Sequence, residues 1–340
     1  MQDFLEPKTA LDDHSILVTG GTGSFGKRFI KTVLERYKPS RLIVYSRDEL
    51  KQFEMGLELP AAKYPVLRYF IGDVRDASRL EMAMRGVDTV IHTAALKQVP
   101  TAEYNPFECI ATNVHGAENV VNAAIRTGVK RVVALSTDKA ANPINLYGAS
   151  KLASDKIFIA ANHLAGAGGC RFSVVRYGNV IGSRGSVIPL FRRLIAGGAT
   201  ELPLTDDRMT RFLITLQQGV NFVLSSMSLM RGGEIFVPKI PSMKMTDVAA
   251  AIGPEAKVKV VGIRPGEKLH EVLITEEDAW TTWELPDRYV IEPSHSHWEA
   301  KRPAIPDANR VAEGFRYDSR NNTEWMPRDK LNAILQAEPA

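Results

Sequence analysis

Cysteine is scarce in this chain: there are two among 340 residues, Cys109 and Cys170, far apart and without CxxC spacing. That excludes a disulfide framework and a thiolate zinc site, and the expectation is two buried thiols in a reducing compartment. Long apolar runs are missing as well. No uninterrupted apolar stretch approaches the ~18 residues of a membrane-spanning helix. The opening MQDFLEPKTALDDHS lacks the basic-then-apolar pattern of a secretory signal. The expected location is therefore the cytoplasm, with no membrane partner. Charge of one sign is lacking too: the formal net charge is +4 with 24% charged residues and no block of like charge, so nothing in composition calls for nucleic acid. The slight basicity suits an anionic small molecule.

What the chain does have is enough apolar material, 44% of residues, to bury a large core and form a sizeable domain with a smaller one. From Ser15 to about Val180, short β-branched runs (ILVTG, RLIVYS, VLRYFIGDV, TVIHTAA, RVVALST, FSVVRYGNVIG) alternate with helical patterns such as KRFIKTVLERY, GAENVVNAAIRTG and SKLASDKIFIAANHLA. Runs that are apolar on both faces and separated by helix-length segments predict parallel strands joined by right-handed crossovers, a doubly wound α/β sheet. Beyond Gly182 the alternation stops and Gly and Pro become frequent (GSRGSVIP, RGGEIFVPKIPS, GIRPGEK). We expect residues 1–182 to form the nucleotide-binding domain with the catalytic groups. Residues 183–340 would form mainly a smaller mixed α/β lobe, with the ligand between the two and a polar tail from about Ser294 wrapping the surface.

The first strand runs into Gly20-Gly21-Thr22-Gly23-Ser24-Phe25-Gly26 and then a helix. Glycines at 20, 23 and 26 allow a tight turn, close approach of backbone to a pyrophosphate, and close packing of helix on strand, the arrangement of a Rossmann-type dinucleotide site. Thr22, Ser24 and Phe25 belong to the same turn. Cofactor choice is read at the end of the next strand, where an NAD site places a carboxylate. Here LIVY is followed by Ser46 and Arg47, with Lys51 beyond. A hydroxyl and a guanidinium suit a 2′-phosphate and point to NADP, although Asp48 could turn back to serve NAD. Asp73 and Val74 would lie at the adenine edge, or Asp73 would cap the next helix; Ala94 and Ala95 would let the cofactor lie close to the sheet.

In STDKAANPINLYGASK, Tyr147 and Lys151 are one helical turn apart. An ammonium beside a phenol lowers its pKa, so Tyr147 can take a hydroxyl proton while hydride leaves the same carbon. Alcohol oxidation needs no more than that pair and a hydroxyl. The additional Asp138-Lys139 at the end of the fifth strand points to a further proton-transfer step, elimination, with Lys139 as base if positive neighbours and burial destabilise its ammonium and Asp138 as acid if protonated. The bland alternative is an exposed salt bridge.

Together TGGTGSFG, YSRDELKQ, AALKQVPTAEYNPFE, STDKAANPINLYGASK, RYGNVIGSRGSVIP, DRMTRFLIT, GGEIFVPKIPSMK and GIRPGEKLHE resemble the extended short-chain dehydrogenase/reductase family. More narrowly, they resemble the soluble inverting UDP-N-acetylglucosamine 4,6-dehydratases that begin pseudaminic acid synthesis. The resemblance implies Tyr147 and Lys151 as the redox pair, Asp138 as general acid and Lys139 as C5 base. Thr137 would hold the sugar, Asn179 would line the substrate and nicotinamide pocket, and Lys97 would lie near the sugar. Arg211 and Arg264 would face the UDP diphosphate, or pair with a nearby acid such as Asp207 or Glu267. It also implies a UDP-N-acetylhexosamine substrate and a homo-oligomer, dimer or hexamer. The course would be C4 oxidation, loss of water across C5 and C6, hydride return to C6 and reprotonation at C5 from the opposite face. A 4- or 5-epimerase of the same superfamily, and a non-catalytic NADP-sensing regulator, are the alternatives.

Overall fold

A computed structural model describes residues 3–4, 11–294, 305 and 307–337. The first half alternates as its pattern predicts. Strands β1 (Ser15–Thr19), β2 (Arg41–Ser46), β3 (Leu67–Ile71), β4 (Thr89–His92), β5 (Arg131–Thr137) and β6 (Arg171–Tyr177) are separated by helices. These are α1 (Ser24–Arg36), α2 (Glu49–Glu58), α3 (Ala77–Met84), the short α4 (Val99–Tyr104) and α5 (Pro106–Ile110), α6 (Gly116–Thr127) and α7 (Leu146–Ala165). Gly128 ends α6 with φ +75°, a left-handed conformation that costs an L side chain strain. Between α5 and α6 the chain widens into a π-turn at Ala111–His115.

FSVVRYGNVIG, read as one strand, is two. The chain breaks after β6 at Gly178 and continues as β7 (Asn179–Val180), which leaves the large sheet and pairs with β9 (Thr210–Ile214). The cause is packing: a Cβ on Gly178 would lie 2.5 Å from Cβ of Phe212 and 2.9 Å from its carbonyl oxygen. The backbone of one sheet runs against the other there.

The remaining elements are α8 (Val187–Ala196), β8 (Glu201–Leu204), α9 (Leu216–Leu229), β10 (Ile235–Pro238), β11 (Ser242–Lys244), α10 (Met245–Ile252) and β12 (Lys257–Val260). After them come β13 (Val272–Ile274), β14 (Thr282–Glu284), β15 (Arg288–Ile291), β16 (Asn309–Arg310), β17 (Tyr317–Asp318) and α11 (Arg328–Ala337). The large sheet runs β16-β14-β15-β10-β6-β5-β4-β1-β2-β3. Strands β3 to β10 in that order are parallel, and β15, β14 and β16 extend it antiparallel. Four strands of the 183–340 segment thus complete the sheet of the first half, so residue 182 marks the end of the strand–helix alternation and not the end of the sheet.

The smaller lobe holds the sheet β11-β9-β7 and the pairs β12-β8 and β13-β17. It has its own apolar cluster, in which Ile181 and Ile188 meet Met243, Val248 and Leu331. The lobe's short strands follow no regular repeat because each is fixed by partners distant in sequence. Of the polar tail, residues 295–304 and 306 lie outside the described residues. Cys109 and Cys170 are buried and unpaired. Among the described residues no helix is long and apolar enough to cross a membrane.

If contact between the two sheets dictates Gly178, Gly178→Ala will destabilise the fold by about 1–3 kcal/mol, the usual cost of overpacking a filled site. The melting temperature measured by circular dichroism should fall by several degrees, and an unchanged value would show that the contact relaxes freely.

Candidate active site

A cavity of about 1020 Å³ opens at the carboxyl ends of the parallel strands, where β1 and β4 flank the reversal of strand order. Ligands of open α/β sheets bind at that reversal. Every residue singled out above for cofactor, substrate or catalysis lines this cavity except Asp138, which is 0% exposed and lies behind the wall.

At the nucleotide end, Gly20 turns with φ +64°, and a Cβ there would stand 2.9 Å from the Ala94 nitrogen. A Cβ on Gly26 would meet Gly21 Cα at 2.6 Å. Both contacts are with backbone that cannot yield, so this turn is built for glycine. The N-cap of α1 is Gly23, which makes no side-chain capping bond, leaving the first N–H groups of the helix for an anion.

Ser46 Oγ lies 2.9 Å from Thr22 Oγ1, joining the end of β2 to the Gly-rich turn. Asp48 does not turn back toward a ribose. Its carboxylate caps α2 by accepting from the Lys51 backbone N–H and pairs with the Lys51 ammonium. Arg47 lies at the cavity rim, half exposed, with a loose 3.5 Å contact to Asp73. Asp73 does not cap the helix that follows it; Asp76 does. Instead Asp73 accepts from the backbone and guanidinium of Arg75. Burial opposes its charge, but those bonds outweigh burial and hold its pKa below the ordinary value. Val74 is buried, its side chain filling the space above Gly116.

Three residues at this end carry no signal that local pattern reading picks up. Arg184 reaches from the smaller lobe to donate to the Thr22 carbonyl at 3.4 Å. Asn113, in the π-turn, accepts from Leu96 N–H at 2.8 Å and donates to the Leu96 carbonyl and Ser150 Oγ, each at 2.9 Å. It therefore ties the loop that carries Lys97 to α7. Asp155, one turn beyond Lys151, accepts from Ser136 Oγ at 2.7 Å and pairs with Arg176. Lys97 is depressed by burial and by Arg184.

At the chemical end, α7 is capped by the Asn145 side chain, which accepts from Gly148 N–H. The helix buries both Tyr147 and Lys151 on its inward side. Burial pushes the Tyr147 phenol up to about 12, and the cation that works against this is Lys139. Lys151 itself is depressed by burial, with Asp155 opposing. The expectation that Lys151 lowers the phenol's pKa is thus not what the resting protein shows.

Lys139 differs more sharply from expectation. Its Nζ lies 3.0 Å from Asp138 Oδ1 and 3.3 Å from Glu271 Oε1. Burial disfavours its charge, but the two carboxylates outweigh burial and hold the ammonium above its ordinary pKa. Positive neighbours were expected to destabilise it; anionic ones stabilise it instead. Asp138 is shifted the way an acid requires: burial raises its pKa, Lys139 opposes and Glu271 adds to the rise. Its Oδ1 accepts from Thr137 Oγ1 at 2.9 Å, while its buried Oδ2 has no partner.

Arg211 lines the cavity, yet its guanidinium is engaged. Its Nη groups donate to the carbonyls of Thr210, Leu269 and Lys268, and Nε sits 3.6 Å from Glu271. Its acid partner is Glu271 rather than Asp207 or Glu267. Arg264 is more than half exposed at the mouth and touches Glu267 only at 3.8 Å, so it is free to meet an anion. Asn179 Oδ1 is buried without a partner and Asn179 lines the cavity. Glu271, absent from the sequence-based candidates, is the last letter of GIRPGEKLHE.

Residues 16–293 match the family described as "Polysaccharide biosynthesis protein". A UDP-N-acetylglucosamine 4,6-dehydratase (inverting) of Campylobacter jejuni is 57% identical over 326 residues, 94% of this chain and 97% of that one. A UDP-glucose 4-epimerase of Rickettsia canadensis is 45% identical, covering 95% of each chain. Among solved structures, Pen from Bacillus thuringiensis superposes with TM-score 0.87 at 35% identity, over 97% of this chain and 99% of that one. DesIV, a dTDP-glucose 4,6-dehydratase from Streptomyces venezuelae solved with NAD and TYD bound, gives 0.66 at 27% identity over 75% and 86%. The chain therefore belongs to the polysaccharide biosynthesis protein family and has the Rossmann-type fold of nucleotide-sugar dehydratases and epimerases.

Proposed function

We propose that this chain is a UDP-N-acetylglucosamine 4,6-dehydratase that inverts C5, with NADP as its cofactor. The observation that carries the reading is Lys139, held on the cavity wall by Asp138 beside Tyr147. A 4-epimerase has no use for this second acid–base pair, whereas an elimination needs one. Identity of 57% to the inverting dehydratase of Campylobacter jejuni supports the same conclusion. The epimerase alternative draws on relatives of that name at 45% identity, and loss of water separates the two.

The residues lining the cavity fit a dinucleotide: glycine turns where a side chain would collide, an uncapped helix N-terminus and a cationic rim. A nicotinamide dinucleotide held by the Gly20–Gly26 turn and alongside Ala94 and Ala95 would supply a hydride acceptor for sugar C4 and a hydride donor for C6. Tyr147 takes the C4 hydroxyl proton as the ketone forms, with the Lys139 ammonium as the cation that favours its phenolate and Lys151, one helical turn along α7, as the other member of the redox pair. The ketone acidifies the C5 proton, which Lys139 removes as an amine. Asp138 supplies a proton to the departing C6 hydroxyl. Because Asp138 lies behind the wall, its proton passes through Thr137, which lines the cavity and whose hydroxyl, donating to Asp138 at rest, turns to accept from the protonated acid as it gives its own proton outward. Asn179 and Lys97 orient the sugar, and Arg264 meets the diphosphate. Arg211 shapes the loop at 264–271 by holding its carbonyls.

NADP is favoured over NAD because Asp48 is committed to capping α2 while Ser46 and Arg47 stand at the ribose end. We assign residues 1–182 mainly to cofactor binding and chemistry and 183–340 mainly to substrate. A homo-oligomer and a place at the start of pseudaminic acid-type sugar synthesis rest on the family resemblance, and a cytoplasmic location rests on the scarcity of cysteine and of long apolar runs.

Turnover of UDP-N-acetylglucosamine in deuterated water should give a 6-methyl product with deuterium at C5 and inverted ring stereochemistry by proton NMR; a product of unchanged mass would remove the dehydratase reading. Lys139→Ala should lower the rate of water loss roughly 100-fold or more, the usual worth of a general base, and full retained turnover would cancel its role. Arg47→Ala should weaken NADP binding by roughly tenfold or more, the loss of one charged hydrogen bond, while leaving NAD binding unchanged in calorimetry.

A further inference from the structure

Glu271 is a carboxylate at 2% exposure that the chemistry above does not use. It lines the cavity, and its Oε1 contacts Lys139 Nζ at 3.3 Å and Arg211 Nε at 3.6 Å, while Oε2 is buried without a partner. Its backbone is fixed from two directions. Glu271 N–H donates to Ser319 Oγ at 2.9 Å, and Ser319 N–H donates back to the Glu271 carbonyl at 2.8 Å. Ser319 Oγ is also 2.7 Å from Thr210 Oγ1, beside Arg211 on β9. Three stretches of the smaller lobe therefore converge to place one carboxylate on an amine carried by β5.

Resting on the dehydratase reading, we infer that Glu271 is a positioning residue of the elimination: its fixed negative charge keeps one movable proton on the Asp138–Lys139 pair. With Glu271 and Arg211 charged, Asp138 and Lys139 hold one proton between them beyond the carboxylate–amine form. The Lys139 ammonium passes that proton to the Asp138 carboxylate 3.0 Å away, giving an amine and an acid side by side. The amine then takes the C5 proton, the C5 electron pair forms the C5–C6 double bond, and the C6 hydroxyl leaves with the acid's proton as water. The pair ends as carboxylate and ammonium, as it began, so the step needs no outside proton.

The charges around the pair and Glu271 come from several elements. Besides Asp138 and Lys139 they are Tyr147 from α7, Arg211 from β9 and Lys268 from the loop before β13. The Lys268 ammonium bonds the Ala141 carbonyl at 2.6 Å. His270 Nδ1 is engaged with Thr210 Oγ1, and Asp318 of β17 is engaged with Arg316. Burial opposes the Glu271 charge, but Lys139, Arg211 and Lys268 outweigh it and hold its pKa low. Glu271 is thus an anion across the working range. A fixed anion stabilises every protonated form of the pair, so both apparent pKa values of the pair are raised by it and belong to the pair jointly.

Glu271→Gln removes that anion and leaves Arg211 uncompensated, and both effects have the same sign. The acid and basic limbs of the kcat/KM profile for water loss should therefore both move to lower pH, by roughly one to three pH units. Glu271→Asp, which draws the charge back by one methylene, should move them the same way by less, and keeps the test open if the Gln variant does not fold. A slower enzyme with unmoved limbs in both variants, or limbs moving apart, would overturn the inference in favour of a purely structural role. Wild type is assayed first for loss of water from UDP-N-acetylglucosamine. If its product is unchanged in mass, the dehydratase reading fails, and the Glu271 inference is then judged by side-chain NMR. The Lys139 amine signal of isotope-labelled lysine, assigned with Lys139→Arg, should titrate at lower pH in Glu271→Gln than in wild type, and an unshifted titration would overturn the inference.

Discussion

A lysine ammonium on the cavity wall, held between two buried carboxylates, is the constraint around which the rest of this protein is arranged. Taking a charge out of water costs several kcal/mol unless it is paired at close range, and here Asp138, Lys139, Glu271 and Arg211 are all brought under cover together. Two cations face two anions, so the group is neutral as a whole. It is also divided between the lobes: the Asp138-Lys139 turn ends β5 of the large sheet, while Arg211 and Glu271 belong to the smaller lobe. Each side contributes one cation and one anion, and the Lys139–Glu271 contact joins the two pairs across the interface. The interface is therefore specified by charge at the point where chemistry needs a defined geometry.

The surrounding topology serves that closure. The chain leaves the large sheet at Gly178, builds the three-stranded sheet around β9, and returns through β10 and β15 to the edge of the first sheet. It then adds β17 against β13. Ser319, just past β17, bonds both β9 and the residue before β13. Residues far along the chain thus set the position of the carboxylate that touches Lys139. The nucleotide end is drawn in by similar means, with Arg184 of the later segment donating to the Thr22 carbonyl.

The parts legible in the sequence are those determined by local geometry. Strand runs, the Gly20 to Gly26 turn and the helical spacing of Tyr147 and Lys151 depend on neighbours within a few residues, and such patterns are written in periodicity. The commitment of Asp48 to capping α2 is also local, and it leaves Ser46 and Arg47 as the polar groups at the end of β2. The break at Gly178 was not legible because it depends on Phe212, a partner from another sheet. Glu271 was hidden for the same reason. As a letter in GIRPGEKLHE it looks like any surface acid, and only the pairing of β13 with β17 turns it inward. The expectation for Lys139 went wrong through this one omission, since a missing anion reverses the sign of the local field.

In the proposed elimination, the order of acid and base in the pair is the reverse of what water would allow. A free carboxyl and a free ammonium have ordinary pKa values roughly six units apart, with the carboxyl the stronger acid, so in solvent aspartate would never protonate a leaving group while lysine stood by as an amine. Burial narrows that gap from both ends, because low dielectric favours the neutral acid and the neutral amine alike. The Asp138 carboxyl, with an unpartnered oxygen behind the wall, is pushed up by burial. The amine is held back by the anions beside it. The resting protein therefore stores the pair in its charged form, which survives the open cavity. A substrate that fills the cavity and displaces its water strengthens the bias toward the neutral form at the moment the ketone makes the C5 proton available. Under that arrangement the base is generated where it is consumed, and a free amine does not wait exposed to solvent protons.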